Sequence, residues 1–270
     1  MARVRVRGAE LFHEAVGEGE PLVLVHGSLT DHYTWQAVVP ALAASFRVLV
    51  YDRRGHSGST RGSGNGVRRD HEDDLAALME TLGLAPAHVA GNSFGASTAL
   101  GLALRRPGLF RSLIAHEPPL LGVIRGDDPV HVLMRAAQEG IDTAVARILA
   151  GEESEGVRRF MEDVALGPGS WAALPARVRT ALVANGRAFT DEQRDPGWAS
   201  LDLTRLSGFT GRTLLTYGTE SPAWLPPVTI ELSRSLPRAE LRALDGAGHI
   251  PQVTHPDAYA AMVREFIASA

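Results

Sequence analysis

Gly91-Asn92-Ser93-Phe94-Gly95 lies between a short apolar run, Ala87 to Gly91, and a stretch rich in alanine and leucine, Ala96 to Arg106. A serine with glycine two residues away on either side, between a strand and a helix, is the pattern of a nucleophile elbow. The turn is so tight that side chains at the glycine positions would collide, and the central residue is held in strained backbone geometry. Ser93 would then project its hydroxyl beyond the sheet edge, with the Phe94 amide and the positive end of the following helix directed at nearby negative charge. The plainer role for such a serine is a helix N-cap. The chemistry of an elbow is nucleophilic acyl transfer, which also needs a base, an acid that orients the base, and a second oxyanion donor.

Each has a candidate. His249, in Gly246-Ala247-Gly248-His249, follows the last apolar run on a loop flexible enough to bring an imidazole back to the serine, and is the candidate general base. His26-Gly27-Ser28 ends the first buried run, where the Ser28 amide would be the second oxyanion donor. An imidazole that takes the serine proton becomes positive and needs an acceptor-only carboxylate on its other nitrogen. Two carboxylates stand at strand ends, Glu117 and Glu220. His26 and His56 occupy loop positions whose usual work is hydrogen bonding. His71, beside Glu72, Asp73 and Asp74, has no second histidine at the i+4 spacing of a metal pair, so this stretch reads as a solvated acidic helix face and no metal site is expected.

The elements that must position these groups are legible as periodicities. Arg3 to Arg7 alternates with period two and Leu11 to Val16 follows after a short turn, which predicts an antiparallel hairpin. Continuous apolar runs at Pro21 to His26, Phe46 to Asp52, Ala87 to Gly91, Arg111 to Glu117, Arg212 to Gly218 and Arg238 to Leu244 predict buried parallel strands. Helical patterns lie between them at Trp35 to Ala44, Arg68 to Leu82 and Ser93 to Arg106. At the end, Tyr259, Met262, Val263, Phe266 and Ile267 recur at three-and-four spacing. Strands alternating with helices mean a mostly parallel, eight-stranded sheet covered on both faces. The stretch 118–211 breaks the rhythm with helix-like segments only, at Val130 to Glu139, Ile141 to Ala150, Val157 to Leu166 and Trp171 to Asn185. It is expected to be a helical cap inserted after strand six of a core made from 1–117 and 212–270.

The elbow, the strand-end loops and their order make the chain resemble the α/β-hydrolase fold superfamily from about Leu22 to Ile267. The resemblance implies a triad in the order serine, acid, histidine. In the commonest family pattern the acid follows the next-to-last strand in a Gly-X-X-Asp segment. Here that segment is Tyr217-Gly218-Thr219-Glu220-Ser221-Pro222, with Ser221 in the aspartate's place and Glu220 one residue early. In haloalkane dehalogenases and fungal zearalenone-type lactone hydrolases the acid has moved one strand after the nucleophile. Glu117 stands there, 117 − 93 = 24 residues beyond Ser93. The resemblance to the lactone hydrolases includes the His116-Glu117-Pro118-Pro119 segment and Ala96-Ser97-Thr98 after the elbow. Glu117 is therefore preferred over Glu220 as the triad acid.

Composition bounds the function. The chain has 270 residues with 44% hydrophobic and 21% charged, a globular composition. Its formal charge of −4 offers no electrostatic footprint for nucleic acid or anionic lipid, so a small hydrophobic ester or lactone is the expected partner. The absence of cysteine excludes disulfides and thiolate catalysis. No signal-like or membrane-spanning apolar run is present, which makes the cytoplasm the expected location. Expected is a serine esterase or lactonase needing no cofactor. A cofactor-free C–C bond hydrolase or perhydrolase using the same triad is the alternative, and a non-catalytic ligand receptor of the same fold ranks lower. Trp35, Trp171 and Trp198 are candidate substrate contacts, with Leu174, Leu182 and Phe189 as further pocket walls.

Overall fold

The computed structural model describes residues 2–269. Eight strands form one sheet: β1 Ala2–Val6, β2 Ala9–Val16, β3 Glu20–Val25, β4 Phe46–Tyr51, β5 Ala87–Asn92, β6 Phe110–His116, β7 Arg212–Gly218 and β8 Ala239–Leu244. Their spatial order is β1-β2-β4-β3-β5-β6-β7-β8. The N-terminal hairpin is antiparallel and joins β4 antiparallel, while all pairs from β4 to β8 are parallel. Every parallel strand predicted from the apolar runs is present, with boundaries shifted by at most one residue.

The runs are continuous because both faces of the sheet are covered. Val23 and Val25 of β3 face one way with Val89, Leu113 and Leu215; Leu22 and Leu24 face the other with Ala90, Ile114 and Leu214. The first face is covered by α2 Arg68–Thr81, α3 Phe94–Arg105 and α10 Leu225–Ser235, the second by α1 Val39–Ala43 and α12 Pro256–Ala268. Each fully buried leucine or valine stabilises the fold by about 1.5–3 kcal/mol.

Between β6 and β7 the described chain forms helices and no strand: α4 Val130–Leu149, α5 Glu153–Arg159 continued by a π-helical turn at Phe160–Ala165, α6 Ser170–Ala173, α7 Ala176–Ala184, α8 Gly186–Glu192 and α9 Leu203–Ser207. The remaining helix is α11 Pro251–Thr254. Two expectations are corrected here. Gly140 does not split a helix in two: α4 runs through it, and a Cβ at that position would meet Val164 Cγ2 at 2.7 Å, so the glycine admits the π-helical turn against α4. The segment predicted as one helix over Trp171 to Asn185 is broken, because Leu174 precedes Pro175 and takes extended geometry with ψ of 138°. No helix among the described residues is long and apolar enough to cross a membrane.

The acidic run on α2 is also corrected. Glu72 and Asp74 are buried rather than solvated. Asp74 accepts a two-pronged bond from Arg54, Nε at 2.7 Å and Nη2 at 2.6 Å, and Glu72 accepts from Arg105 Nε at 2.7 Å. Arg54 and Arg105 come from elsewhere in the chain, so helical charge pattern alone could not reveal them; Arg68, four residues before Glu72 on the same helix and 3.3 Å from its Oε1, does follow that pattern. Gly101 on α3 makes room for Glu72, since a Cβ there would lie 2.0 Å from Glu72 Oε1.

Candidate active site

Parallel strands point their C-terminal ends at one edge of the sheet, and that edge collects the groups singled out in the sequence. The backbone there is strained. Leu29 after β3, Ser57 after β4, Ser93 after β5 and Glu117 after β6 all have positive φ, at 63°, 38°, 55° and 45°. Such conformations cost about 1–3 kcal/mol each and persist only where the surroundings over-determine them. At the elbow this determination is visible. A Cβ at Gly95 would stand 2.2 Å from Val25 O, and one at Gly91 would stand 2.6 Å from Ala96 N. The glycines therefore let α3 start directly against β3 and β5, and Ser93 N–H donates to His116 O at 2.9 Å.

His249 arrives on the loop after β8, and its Nδ1 lies 2.7 Å from Glu117 Oε2. An ionised carboxylate only accepts, so Nδ1 carries the hydrogen and Nε2 keeps its lone pair for the serine. Glu117 Oε1 accepts the Gly218 amide at 2.9 Å. Burial alone would push the Glu117 carboxyl up; hydrogen bonding and charge from the His116 and His249 rings outweigh it and hold the group well below the usual carboxylate range. His116 Nε2 stands 3.5 Å from Glu117 Oε2, at the limit of hydrogen-bond reach, so the Gly218 amide and His249 are the firmer partners. Glu220 lies elsewhere: its side chain is exposed, and its main-chain N–H donates to Ala247 O at 2.9 Å. The segment that carries the acid in the common family pattern contributes a backbone donor to Glu117 instead.

His116, Glu117 and His249 place three ligand-type atoms within 4.8 Å of one another. Those atoms already serve one another, Oε2 with the His249 ring and Oε1 with Gly218, and His116 Nδ1 lies 2.9 Å from Thr216 Oγ1. A cation would have to break the imidazole–carboxylate bond to enter.

Ser93 and His249 line a common cavity with Ser28, beneath the helical segment. Ile141, Phe160, Val164, Phe189, Trp198 and Trp224 supply its apolar walls. The Phe94 amide opens α3, where first-turn N–H groups have no intrahelical partner, and the Phe94 ring is clamped edge-on to His71 with centroids 5.9 Å apart. Of the pocket walls expected from the sequence, Trp198 and Phe189 line the cavity. Trp35 does not: it is fully buried in the core between the sheet and α12, its ring 6.0 Å from that of Tyr259. Trp171 packs within the helical segment under Arg179 and forms no part of the lining, and neither do Leu174 and Leu182. A larger open groove of about 670 Å³ lies elsewhere, and each of its four arginines has a carboxylate partner: Arg69 has Asp73, Arg105 has Glu72 and Asp73, Arg106 has Glu80 and Arg205 has Asp202.

The strained serine, the histidine of the last loop and the buried acid stand on a fold shared with known proteins. A family model described as alpha/beta hydrolase fold matches residues 20–256. The chain belongs to the α/β-hydrolase family. Among its relatives, 2-hydroxymuconate semialdehyde hydrolase of Pseudomonas sp. (strain CF600) is 28% identical, over 94% of this chain and 89% of that protein. Among solved structures, a thermophilic esterase from Thermogutta terrifontis superposes with a TM-score of 0.81 at 22% identity, covering 100% of this chain and 99% of that one. The enol-lactonase from Burkholderia xenovorans LB400 gives 0.81 at 24%, covering 99% and 100%. The two structural likenesses extend over the whole sheet and the helical segment.

Residues that sequence reasoning passes over hold the site together. Asn92, the variable position of the elbow, donates from Nδ2 to His249 O at 2.8 Å and accepts from Gln252 Nε2 at 3.3 Å. It pins the histidine loop to the nucleophile turn. Asn92→Ala leaves a buried carbonyl unpaired, about 1–3 kcal/mol, and is expected to lower kcat by about tenfold through displacement of the imidazole; steady-state kinetics beside a urea midpoint would separate that loss from unfolding. Glu192, at the end of α8, accepts from Ser28 Oγ at 2.6 Å and from Arg53 Nη2 at 2.6 Å. Arg53 in turn donates to His26 O and Gly27 O, and its guanidinium lies 5.1 Å from the centre of the Phe94 ring. His26 accepts the Arg53 amide on Nε2 and donates to Gly27 O, a loop role as expected. Burial, with Arg53 beside them, pushes His26, His56 and His71 well down, so all three are neutral.

Proposed function

We propose that the chain is a serine hydrolase that cleaves a carboxylic ester or lactone of a small hydrophobic substrate through an acyl-enzyme. The reading rests on one observation above the rest: the 2.7 Å bond from His249 to a buried, ionised Glu117, beside a serine held at φ 55° in a glycine-flanked elbow. Ser93 Oγ attacks the carbonyl carbon while His249 Nε2 takes its proton, and the amides of Ser28 and Phe94 receive the oxyanion. The imidazolium, stabilised by Glu117, gives the proton to the leaving alcohol; water then enters, is deprotonated by the same nitrogen, and releases the acid. The reaction as written calls for no metal or organic cofactor.

The residues 118–211 act as a cap over a core of 1–117 and 212–270. The cavity measures only about 20 Å³, room for about one water, so an ester enters when the helical segment shifts. Apolar walls favour an uncharged substrate, and the names of the esterase and the enol-lactonase of the same fold are consistent with that chemistry.

Incubation with a fluorophosphonate tests the reading. The mass of one adduct on Ser93 is expected, abolished in Ser93→Ala; a folded protein that stays unlabelled would favour a ligand receptor of this fold. The relative that acts on 2-hydroxymuconate semialdehyde motivates a second reading, hydrolysis of a carbon–carbon bond with the same triad. Parallel assays with p-nitrophenyl esters and a β-diketone separate the two, since a C–C hydrolase would turn over the diketone faster.

A further inference from the structure

The polar groups of the cavity are nearly all committed. Ser28 Oγ donates to Glu192, His249 Nδ1 to Glu117, and Ser93 is the nucleophile. Gln193 is different. It lines the cavity directly after α8, and its Oε1 is shut off from solvent with no hydrogen-bond partner in the protein. Most of the cavity lining is apolar, so an unpaired amide oxygen there costs about as much as the desolvation of the group. The main chain that carries it is anchored: the Gln193 N–H donates to Phe189 O at 3.3 Å, and the preceding Glu192 bonds at 2.6 Å to both Ser28 and Arg53. A buried, unpaired amide oxygen on a residue that lines a mostly apolar cavity suits the receipt of a donor from the bound molecule once the helical segment shifts.

We infer that Gln193 is a specificity-determining residue and that the substrate carries a hydrogen-bond donor, a hydroxyl or an N–H, in the part that lies under the helical segment. The inference rests on the ester reading above and narrows its substrate class from any apolar ester to a hydroxylated or amide-bearing one. The discrimination follows from asymmetry. A site made to bind a hydroxyl rejects the analogue lacking it more strongly than an apolar pocket rejects an added methylene, because the unpaired protein group stays buried.

The test uses short straight-chain methyl esters, each beside a counterpart with one hydroxyl moved along the acyl chain and a counterpart with a methoxy group in the same place. For the position that reaches Gln193, the wild type is expected to prefer the hydroxy ester over the parent by about tenfold or more in kcat/KM, and over the methoxy ester likewise. Gln193→Met, similar in length and without the amide, should bring that ratio close to one. Its melting temperature should equal or exceed the wild type's, since an unpaired buried acceptor is removed; a merely structural glutamine would lower it. A preference for methoxy over hydroxyl would mean that the amide presents its NH₂, overturning the donor assignment. A ratio unaffected by Gln193→Met, or no hydroxy ester preferred at any position, would overturn the inference while leaving ester hydrolysis standing. Failure of the wild type on every ester would overturn both.

Discussion

Glu117→Ala is expected to lower kcat for ester turnover by about 10³ or more, while Glu220→Ala retains most of the wild-type rate. The asymmetry follows from placement. Glu117 holds the His249 ring by Nδ1, fixes its tautomer and faces the positive charge that forms when the ring takes the serine proton, whereas the Glu220 side chain is in solvent. Glu117→Gln is a sharper probe than alanine. The amide keeps an oxygen for the Gly218 N–H and turns its NH₂ to His249 Nδ1, so packing is preserved while the ring loses its counter-charge and is driven to the tautomer with hydrogen on Nε2, which cannot take the serine proton. The pH dependence carries a sign. The folded carboxyl titrates below its unfolded value, so the stability Glu117 contributes is present above the usual glutamate range and is lost as pH falls through the lower folded value. The acid limb of the rate profile is therefore not set by Glu117, which stays ionised through the usual glutamate range. A wild-type-like rate for Glu117→Ala, with Glu220→Ala inactive, would refute the assignment of the acid.

What is legible in the sequence and what is hidden separate along a physical line. Strands buried on both faces leave unbroken apolar runs, as in Leu22 to Val25, and strand ends mark where the chain leaves the core; the fold and the placement of Ser93, Glu117 and His249 at one sheet edge follow from these local signals. Glu117 and His249 are 132 residues apart, and only order along the chain hints that they meet. Where partners are remote and no motif marks them, local pattern is silent. Thr190-Asp191-Glu192-Gln193 is a polar run that looks like solvent-facing helix, yet Glu192 finds Arg53 across 139 residues and Ser28 across 164. Trp35 reads as a pocket wall because it follows a strand-end loop, yet its ring turns under the sheet toward Tyr259. A side chain's choice between core and cavity is decided by the packing of distant elements, and a single sequence does not encode that locally.

The same remote pairing supplies the largest stability effect. Glu192→Ala is expected to cost about 3–5 kcal/mol, read as a drop in urea midpoint at constant slope. Arg53 and Glu192 are both fully buried, and their Nη2 to Oε1 bond is 2.6 Å. Burial pushes the Glu192 carboxyl up, and Arg53 with Ser28 offsets only part of that cost. Removing the acid leaves a guanidinium uncompensated among the neutral rings of His26, His56 and His71, where no solvent can replace it. Removing both charges behaves differently. Arg53→Met combined with Glu192→Leu should recover most of the loss, because an apolar pair of similar volume no longer carries an unpaired ion. Recovery stops short of complete, since His26 O also loses its bond from Arg53 Nε at 3.0 Å. Both changes reach the proposed oxyanion site, because Ser28 Oγ loses its acceptor and the loop through Gly27 loses its clamp. The double variant should therefore regain stability without regaining kcat. A double variant as active as the wild type would mean that the Ser28 loop keeps its position without Glu192, and a loss under about 1 kcal/mol for Glu192→Ala would mean that water reaches Arg53 when the acid is gone.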